Sequence, residues 1–269
     1  MSTVRWIVGC GGVCYQSLGR LATRDIQQPA MNLFIDPDVV TKDNMSRQWT
    51  GAYFDTGIEK TQSDKATLAM MNSRVRTGAA LCSAFNPDEV MRRTIAAFGS
   101  VSSTTMVKFL EIFAWPDNNA CRRLVEETAI KLVKEGQRRG WRIIVIGATG
   151  GCDSEHAQAY PFVLDSTSDL QLLWSPRFPT AAEEEAIEKA RPTESCGRAA
   201  PAQTPEANQW ASVLTWTAFR YATYWDSSEV AKAYYWNGEN DGMVVTSHEN
   251  GCGVVSTEDM FAEGGERNG

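Results

Sequence analysis

The chain has 269 residues, of which 43% are hydrophobic and 22% charged, and its formal net charge is −7. This composition fits a soluble globular protein with one α/β domain or two small ones, and the acidic balance argues against a general nucleic-acid binder. No apolar run approaches the roughly 20 residues that span a bilayer, and the first residues lack the apolar stretch of a signal peptide. We therefore expect a cytoplasmic protein without nucleic-acid or membrane partners.

Strands and helices are predicted to alternate through the first half of the chain. The predicted strands are "RWIVG" (5–9), "MNLFID" (31–36), "GAALCSAF" (78–85), "KFLEIFAW" (108–115) and "WRIIVIGA" (141–148). Helices are predicted between them over 14–24, 63–75, 86–98 and 118–140, and Ser63 is expected to cap the second. This order predicts an α/β fold with a Rossmann-like, mostly parallel sheet and flanking helices.

The pattern changes near residue 165, so we divide the chain into a nucleotide-binding region, 1–165, and a C-terminal extension of the same domain, 166–269. The segments 156–164 and 169–175 are predicted to form a strand pair. A long crossover loop is expected over 176–206, followed by a helical extension rich in Trp and Tyr over 207–236. Residues 243–247 and 253–257 are predicted to form a last strand pair.

A glycine cluster lies where the first strand turns into the first helix, with Gly9, Gly11 and Gly12. Glycine there lets a phosphate approach the backbone, and the helix N-terminus supplies amides and a positive dipole end. Cys14 stands where the dinucleotide fingerprint has its third glycine, and we expect Cys10 and Cys14 to be loop and packing residues.

An acid, Asp36, ends the second predicted strand, where it would meet the ribose hydroxyls of either NAD or ATP. The loop that follows contains two acids, an asparagine, an arginine and a glutamine, a set suited to a triphosphate and a metal. Ligands of open parallel sheets bind at the carboxyl ends of the strands, so Gly12, Asp36, Arg47, a lysine and Asp117 are expected to converge on one crevice. An aspartate there can hold Mg²⁺, while Arg and Lys neutralise the charge on a leaving pyrophosphate.

The seven cysteines include no Cys-x-x-Cys pair, and the chain has two histidines. The number of cysteines is odd and no signal peptide is evident, so a disulfide framework is not expected. A zinc site with four Cys or His ligands at short spacing is not expected either.

Five motifs in the first 165 residues resemble the ThiF/MoeB/HesA family, whose adenylating domain is shared with ubiquitin-activating enzymes. They are "GCGG" (9–12), "IDPDVV" (35–40), "NMSRQ" (44–48), "GIEK" (57–60) and "PDNNACRR" (116–123). The chain is most similar in character to the ThiF proteins of PRTRC systems, because "TESCGR" places a Ser-Cys pair in the crossover loop.

The resemblance implies a homodimeric, ATP- and Mg²⁺-dependent adenylyltransferase. Its substrate would be the C-terminal carboxylate of a ubiquitin-like or sulfur-carrier-like small protein, or of a peptide. The implied site comprises the three glycines at the α-phosphate, Asp36 at the ribose, Asn44 and Arg47 at the phosphates, and Asp117 at Mg²⁺, with Asp38 and Asn118 as further nucleotide-binding residues. The family lysine is Lys60 by the G-x-x-K spacing, and Lys65 is the alternative.

Many members of the family pass the acyl group on to a cysteine thiol, and Cys196 is the candidate here. Arg191 and Arg198 could favour its thiolate. Cys152 is the weaker alternative, and a surface cysteine without a role is the competing interpretation of Cys196. Two other functions stay open: a non-catalytic nucleotide-binding scaffold and, less favoured, an NAD-dependent oxidoreductase.

Overall fold

A computed structural model describes residues 3–27, 30–42, 44, 55–73, 77–99, 108–116, 119–137, 141–150, 156–164, 182, 205–224, 232–237, 242–247 and 251–255. The strands in these ranges are β1 (Thr3–Val8), β2 (Ala30–Ile35), β3 (Thr77–Leu81), β4 (Lys108–Ala114), β5 (Trp141–Gly150), β6 (His156–Leu164), β7 (Lys232–Asn237), β8 (Gly242–Ser247) and β9 (Gly251–Val255). The helices are α1 (Gly12–Gln27), α2 (Lys60–Met71), α3 (Pro87–Gly99), α4 (Asn119–Gln137) and α5 (Pro205–Tyr224). None of the described helices has the length and apolarity that a membrane crossing needs.

The described strands form one sheet in the order β3-β2-β1-β4-β5-β6-β7-β8-β9. Strands β1 to β5 pair in parallel, and each pairing from β5 to β9 is antiparallel. The Rossmann-like parallel sheet predicted from the sequence is therefore confirmed. Strand order reverses between β1 and β4, and such a switch point leaves a crevice at the carboxyl ends of the two strands.

Helices cover both faces of the parallel part, because successive side chains of a strand point to opposite sides. Val4, Trp6 and Val8 of β1 pack in one core with α3 and α4. Ile7 belongs to a second core, which α1, α2 and α5 complete. Burial on both faces explains why these strands are continuous apolar runs in the sequence.

One buried polar network interrupts the apolar core around Arg5 of β1. Its guanidinium donates hydrogen bonds to Glu111 of β4 (Nε to Oε2, 2.8 Å), Asp25 of α1 (2.7 Å) and Asn32 of β2 (2.9 Å). The side chains of Arg5, Asp25 and Glu111 are at most 1% exposed. The network therefore joins three adjacent strands to the helix that follows the glycine loop.

Several predicted boundaries were wrong. The helical stretch over 207–236 ends at Tyr224 as α5, and Lys232–Asn237 is strand β7 instead. Helix α2 begins at Lys60, so Ser63 is a residue within the helix and does not cap it. The Ser63 hydroxyl donates a hydrogen bond to the Asp55 carboxylate. The third strand ends at Leu81 rather than at 85.

The last strand pair was predicted correctly, because β8 and β9 pair with each other. The predicted strand 169–175 and most of the predicted crossover loop lie outside the described residues.

Candidate functional site

The three glycines of the loop between β1 and α1 have different surroundings. Gly9 has a φ of +91°, and a Cβ there would lie 2.6 Å from the carbonyl oxygen of Trp115. A Cβ on Gly12 would overlap the buried side-chain amide of Asn208 on α5. A Cβ on Gly11 would meet no atom within 4 Å. The fold therefore explains the glycines at 9 and 12, and it does not explain the one at 11.

Asp36 connects the end of β2 to the glycine loop. One carboxylate oxygen accepts the backbone N–H of Cys10 (2.7 Å), and the other accepts that of Asp38 (2.8 Å). Burial raises the pKa of Asp36, while the charge of Lys60 and the two backbone hydrogen bonds oppose that rise. Asp36 thus holds the loop in place at the crevice, and its predicted contact with a ribose stays a prediction.

Lys60 is a cation that the structure places beside Asp38 of the loop after β2. Its Nζ lies 2.7 Å from the Oδ2 of Asp38, and its backbone N–H donates to the Asp38 carbonyl (3.0 Å). The Lys60 side chain is 13% exposed and that of Asp38 is 57% exposed. Lys65 lies five residues further along α2, so its side chain leaves the helix about 140° away from that of Lys60. Lys60 therefore lies beside Asp38, and which of the two lysines contacts a phosphate stays a prediction.

Asn44 closes a local turn. Its side-chain oxygen accepts hydrogen bonds from the backbone N–H (2.8 Å) and the hydroxyl (3.2 Å) of Thr41. This arrangement gives Asn44 a role in the shape of the loop after β2.

Arg47, Asp117, Asn118, Cys152 and Cys196 lie outside the described residues. Their predicted roles therefore stay predictions. The chain leading to Asp117 is described: Trp115 donates its backbone N–H to the Val8 carbonyl (2.7 Å), and Pro116 is buried.

A buried cluster of two cysteines and one aspartate lies beside the glycine loop, and it was not predicted from the sequence. The Sγ atoms of Cys10 and Cys14 and a carboxylate oxygen of Asp64 lie within 4.8 Å of one another, and all three residues are buried. Burial raises the pKa of Cys10 to about 11 and that of Asp64 to about 8, and it raises the pKa of Cys14 well above its usual range. Asp64 lies on the buried face of α2 together with Thr61 and Leu68. In the sequence, the helical spacing of these three residues indicated that an acidic side chain would be buried.

No protein-family model matches the sequence, and no curated protein matches it. Solved structures do match its fold. E. coli MccB with ATP has a TM-score of 0.59 at 17% identity, over 91% of this chain and 64% of that chain. E. coli MccB with AMPCPP and MccA has a TM-score of 0.57 at 16% identity, over 95% of this chain and 63% of that one.

A structure of PaaA also matches, with a TM-score of 0.52 at 16% identity, over 92% of this chain and 64% of that chain. This chain therefore spans less than two thirds of the length of each of these solved chains. At such identities the likeness is one of fold, and it places the protein in the α/β class with a Rossmann-like sheet.

Proposed function

We propose that this protein binds ATP at the carboxyl ends of β1, β2 and β4, and transfers the adenylyl group to the C-terminal carboxylate of a small protein or peptide. The observation that best supports ATP binding is the open space around Gly11. No steric contact requires glycine there, whereas a phosphate drawn onto the backbone amides of the loop requires it. Open space in front of a helix N-terminus is the geometry of an anion site.

Charged groups beside the loop suit a polyphosphate. Lys60 is the first residue of α2 and is mostly buried, so its positive charge is only weakly screened by solvent. In the proposed complex, the ammonium exchanges its ion pair with Asp38 for a phosphate oxygen. Asp36, held by two backbone N–H groups, keeps further lone pairs with which it would accept the ribose hydroxyls.

Asp117 would hold the Mg²⁺ that accompanies ATP, with Asn118 beside it. The described carboxylates of the crevice fit that role less well, because Asp36 accepts two backbone hydrogen bonds and Asp38 pairs with Lys60. When bound, the cation would supply charge neutralisation between phosphate oxygens. Arg47 would add a bidentate donor to the same phosphates.

The solved structures of similar fold support this proposal through their ligands. One structure of MccB is in complex with ATP, and another is in complex with AMPCPP and MccA. A third is of MccB as a microcin C7 biosynthetic enzyme in complex with N-formylated MccA. The five motifs that resemble the ThiF/MoeB/HesA family support the same nucleotide and the same kind of acyl substrate. A homodimer and a cytoplasmic location stay part of the proposal.

The proposed reaction needs little covalent chemistry from the protein. A carboxylate oxygen of the substrate attacks the α-phosphorus of ATP, the bond from that phosphorus to the bridging oxygen breaks, and pyrophosphate leaves with the electron pair. The protein's contribution is to position the two reactants and to stabilise the charge that develops on the leaving group. In a second step, the Cys196 thiolate would attack the acyl carbon and release AMP, leaving a thioester.

Calorimetric titration of the full-length protein with ATP and Mg²⁺ tests the proposed ATP binding, with NAD as the comparison ligand. Removing a charge-assisted contact by Lys60→Met should weaken ATP binding by about tenfold to a hundredfold. Lys65→Met on the same helix is the matched control and should bind ATP as the wild type does. Binding of NAD in place of ATP would support an oxidoreductase, and binding of neither would support a scaffold without nucleotide.

An assay of pyrophosphate release tests whether the protein adenylates a C-terminal carboxylate. The probes are synthetic peptides with a free C-terminal carboxylate and the same peptides with an amidated C-terminus. Release should depend on the free carboxylate, because the amide lacks the attacking oxygen. Equal release with both sets would show hydrolysis of ATP without adenylation and would contradict the proposed substrate class.

A further inference from the structure

Cys10, Cys14 and Asp64 bring three potential metal ligands together from two parts of the chain. Cys10 belongs to the loop after β1, Cys14 to the first turn of α1 and Asp64 to the second turn of α2. One ligand atom from each lies within 4.8 Å of the other two. Neither cysteine forms a disulfide with another described residue, and both are completely buried.

The ligand set and its size suit zinc. Two thiolates and a carboxylate are ligands that Zn²⁺ accepts in tetrahedral sites, with Zn–S near 2.3 Å and Zn–O near 2.1 Å. Those bond lengths place the two sulfurs about 3.8 Å apart and each sulfur about 3.6 Å from the oxygen. Because the ligand atoms lie within 4.8 Å of one another, the cluster needs to contract by about 1.2 Å at most.

A second observation points to a cation at the same place. The Oδ2 of Asp64 is buried and accepts no hydrogen bond from any described group, and Asp64 as a whole is 2% exposed. A buried carboxylate oxygen left without a partner is costly. The charges of Asp36 and Asp55 also act on Asp64, and Lys60 is the cation that opposes them. The local excess of negative charge favours a bound metal ion.

We propose that Cys10, Cys14 and Asp64 bind one zinc ion, with a water molecule as the fourth ligand. The ion would join the glycine loop and the start of α1 to α2. This site is separate from the proposed Mg²⁺ ligand, Asp117, and does not rest on the proposed adenylyltransferase activity. A sequence search for four Cys or His ligands misses it because one ligand is an aspartate and the site has three protein ligands.

Metal content and cobalt spectroscopy of the full-length protein test the proposal. The purified wild type should contain about one zinc per chain. After removal of the zinc with a chelator, titration with Co²⁺ should produce thiolate-to-cobalt charge-transfer absorption, because two sulfurs bind the ion. Zn²⁺ should then displace the cobalt and abolish that absorption.

Asp64→Asn and Cys10→Ser should each weaken cobalt binding at least about tenfold and remove the zinc found after purification. Cys121→Ser is the matched control, because Cys121 is a half-buried cysteine on α4 that lies outside the cluster. Asp64→Asn keeps the shape of the side chain, and circular dichroism checks that each variant is folded. If the wild type binds neither metal, or if folded Asp64→Asn and Cys10→Ser bind as the wild type does, the cluster is packing and the proposal is wrong.

Discussion

At the scale of single residues, the glycine loop contains one glycine that packing requires and one that only a bound ligand would require. Gly12 faces Asn208 of α5, and Gly11 faces open space. Two neighbouring glycines of the same motif are therefore expected to respond differently to the same added methyl group.

Gly11→Ala should leave the free energy of unfolding nearly unchanged, while ATP affinity falls about tenfold or more, because the methyl group occupies the space of a phosphate. Gly12→Ala should instead lower the free energy of unfolding by about 1–3 kcal/mol, since the methyl group overpacks the contact with α5. Denaturant unfolding and ATP calorimetry on both variants measure the two effects. Normal ATP binding by Gly11→Ala would contradict the proposed nucleotide site.

Part of the site was predictable from residue types alone. Asp36 and the glycines could be assigned because a strand end and a helix start are local features of the sequence. The G-x-x-K spacing already favoured Lys60 over Lys65, whereas the ion pair of Lys60 with Asp38 could not be predicted because it depends on where α2 begins. The sequence favoured Ser63 as the cap, yet Ser63 is buried and bonds to Asp55, which comes from the preceding loop.

At the scale of the elements, the parallel strands were predicted because each is an apolar run between polar segments. β7 was missed because its sequence, "KAYYWN", is rich in Trp and Tyr like the helix α5 before it. Aromatic residues pack well in strands, but the choice of strand depends on pairing with β6 and β8. β8 is close in the sequence, whereas β6 lies some seventy residues earlier, and a local pattern cannot include that partner.

The Arg5 network leads to a prediction about how the central elements are held together. Glu111→Gln removes one charge from a buried group that joins β1 and β4 to α1 and β2. We expect the free energy of unfolding to fall by about 3 kcal/mol, at the low end for a broken buried pair because Asp25 still faces Arg5.

Chemical denaturation measures that change, and Glu89→Gln on α3 is the comparison. Glu89 also pairs with two arginines, at 2.7 Å and 2.6 Å, but on the surface, where solvent screening leaves little stabilisation to lose. Equal effects of the two substitutions would show that the buried network contributes no more than a surface pair.

At the scale of the whole molecule, the loop region connects distant parts of the chain. Gly9 packs against the chain after β4, Gly12 against α5, and Asp36 holds Cys10. A ligand bound at this loop would therefore contact a region whose shape depends on the folded state of the entire parallel sheet. Ligand binding and global unfolding are consequently expected to be coupled.

ATP with Mg²⁺, at a hundredfold excess over its Kd, should raise the free energy of unfolding by about 2.7 kcal/mol, since a ligand that binds only the folded state stabilises that state by mass action. NAD at the same concentration should have no effect. In Asp117→Ala, the stabilisation by ATP should no longer depend on Mg²⁺, because the proposed ligand of the cation is missing. Urea unfolding with each ligand measures these differences, and Mg²⁺-dependent stabilisation that persists in Asp117→Ala would show that the cation binds elsewhere.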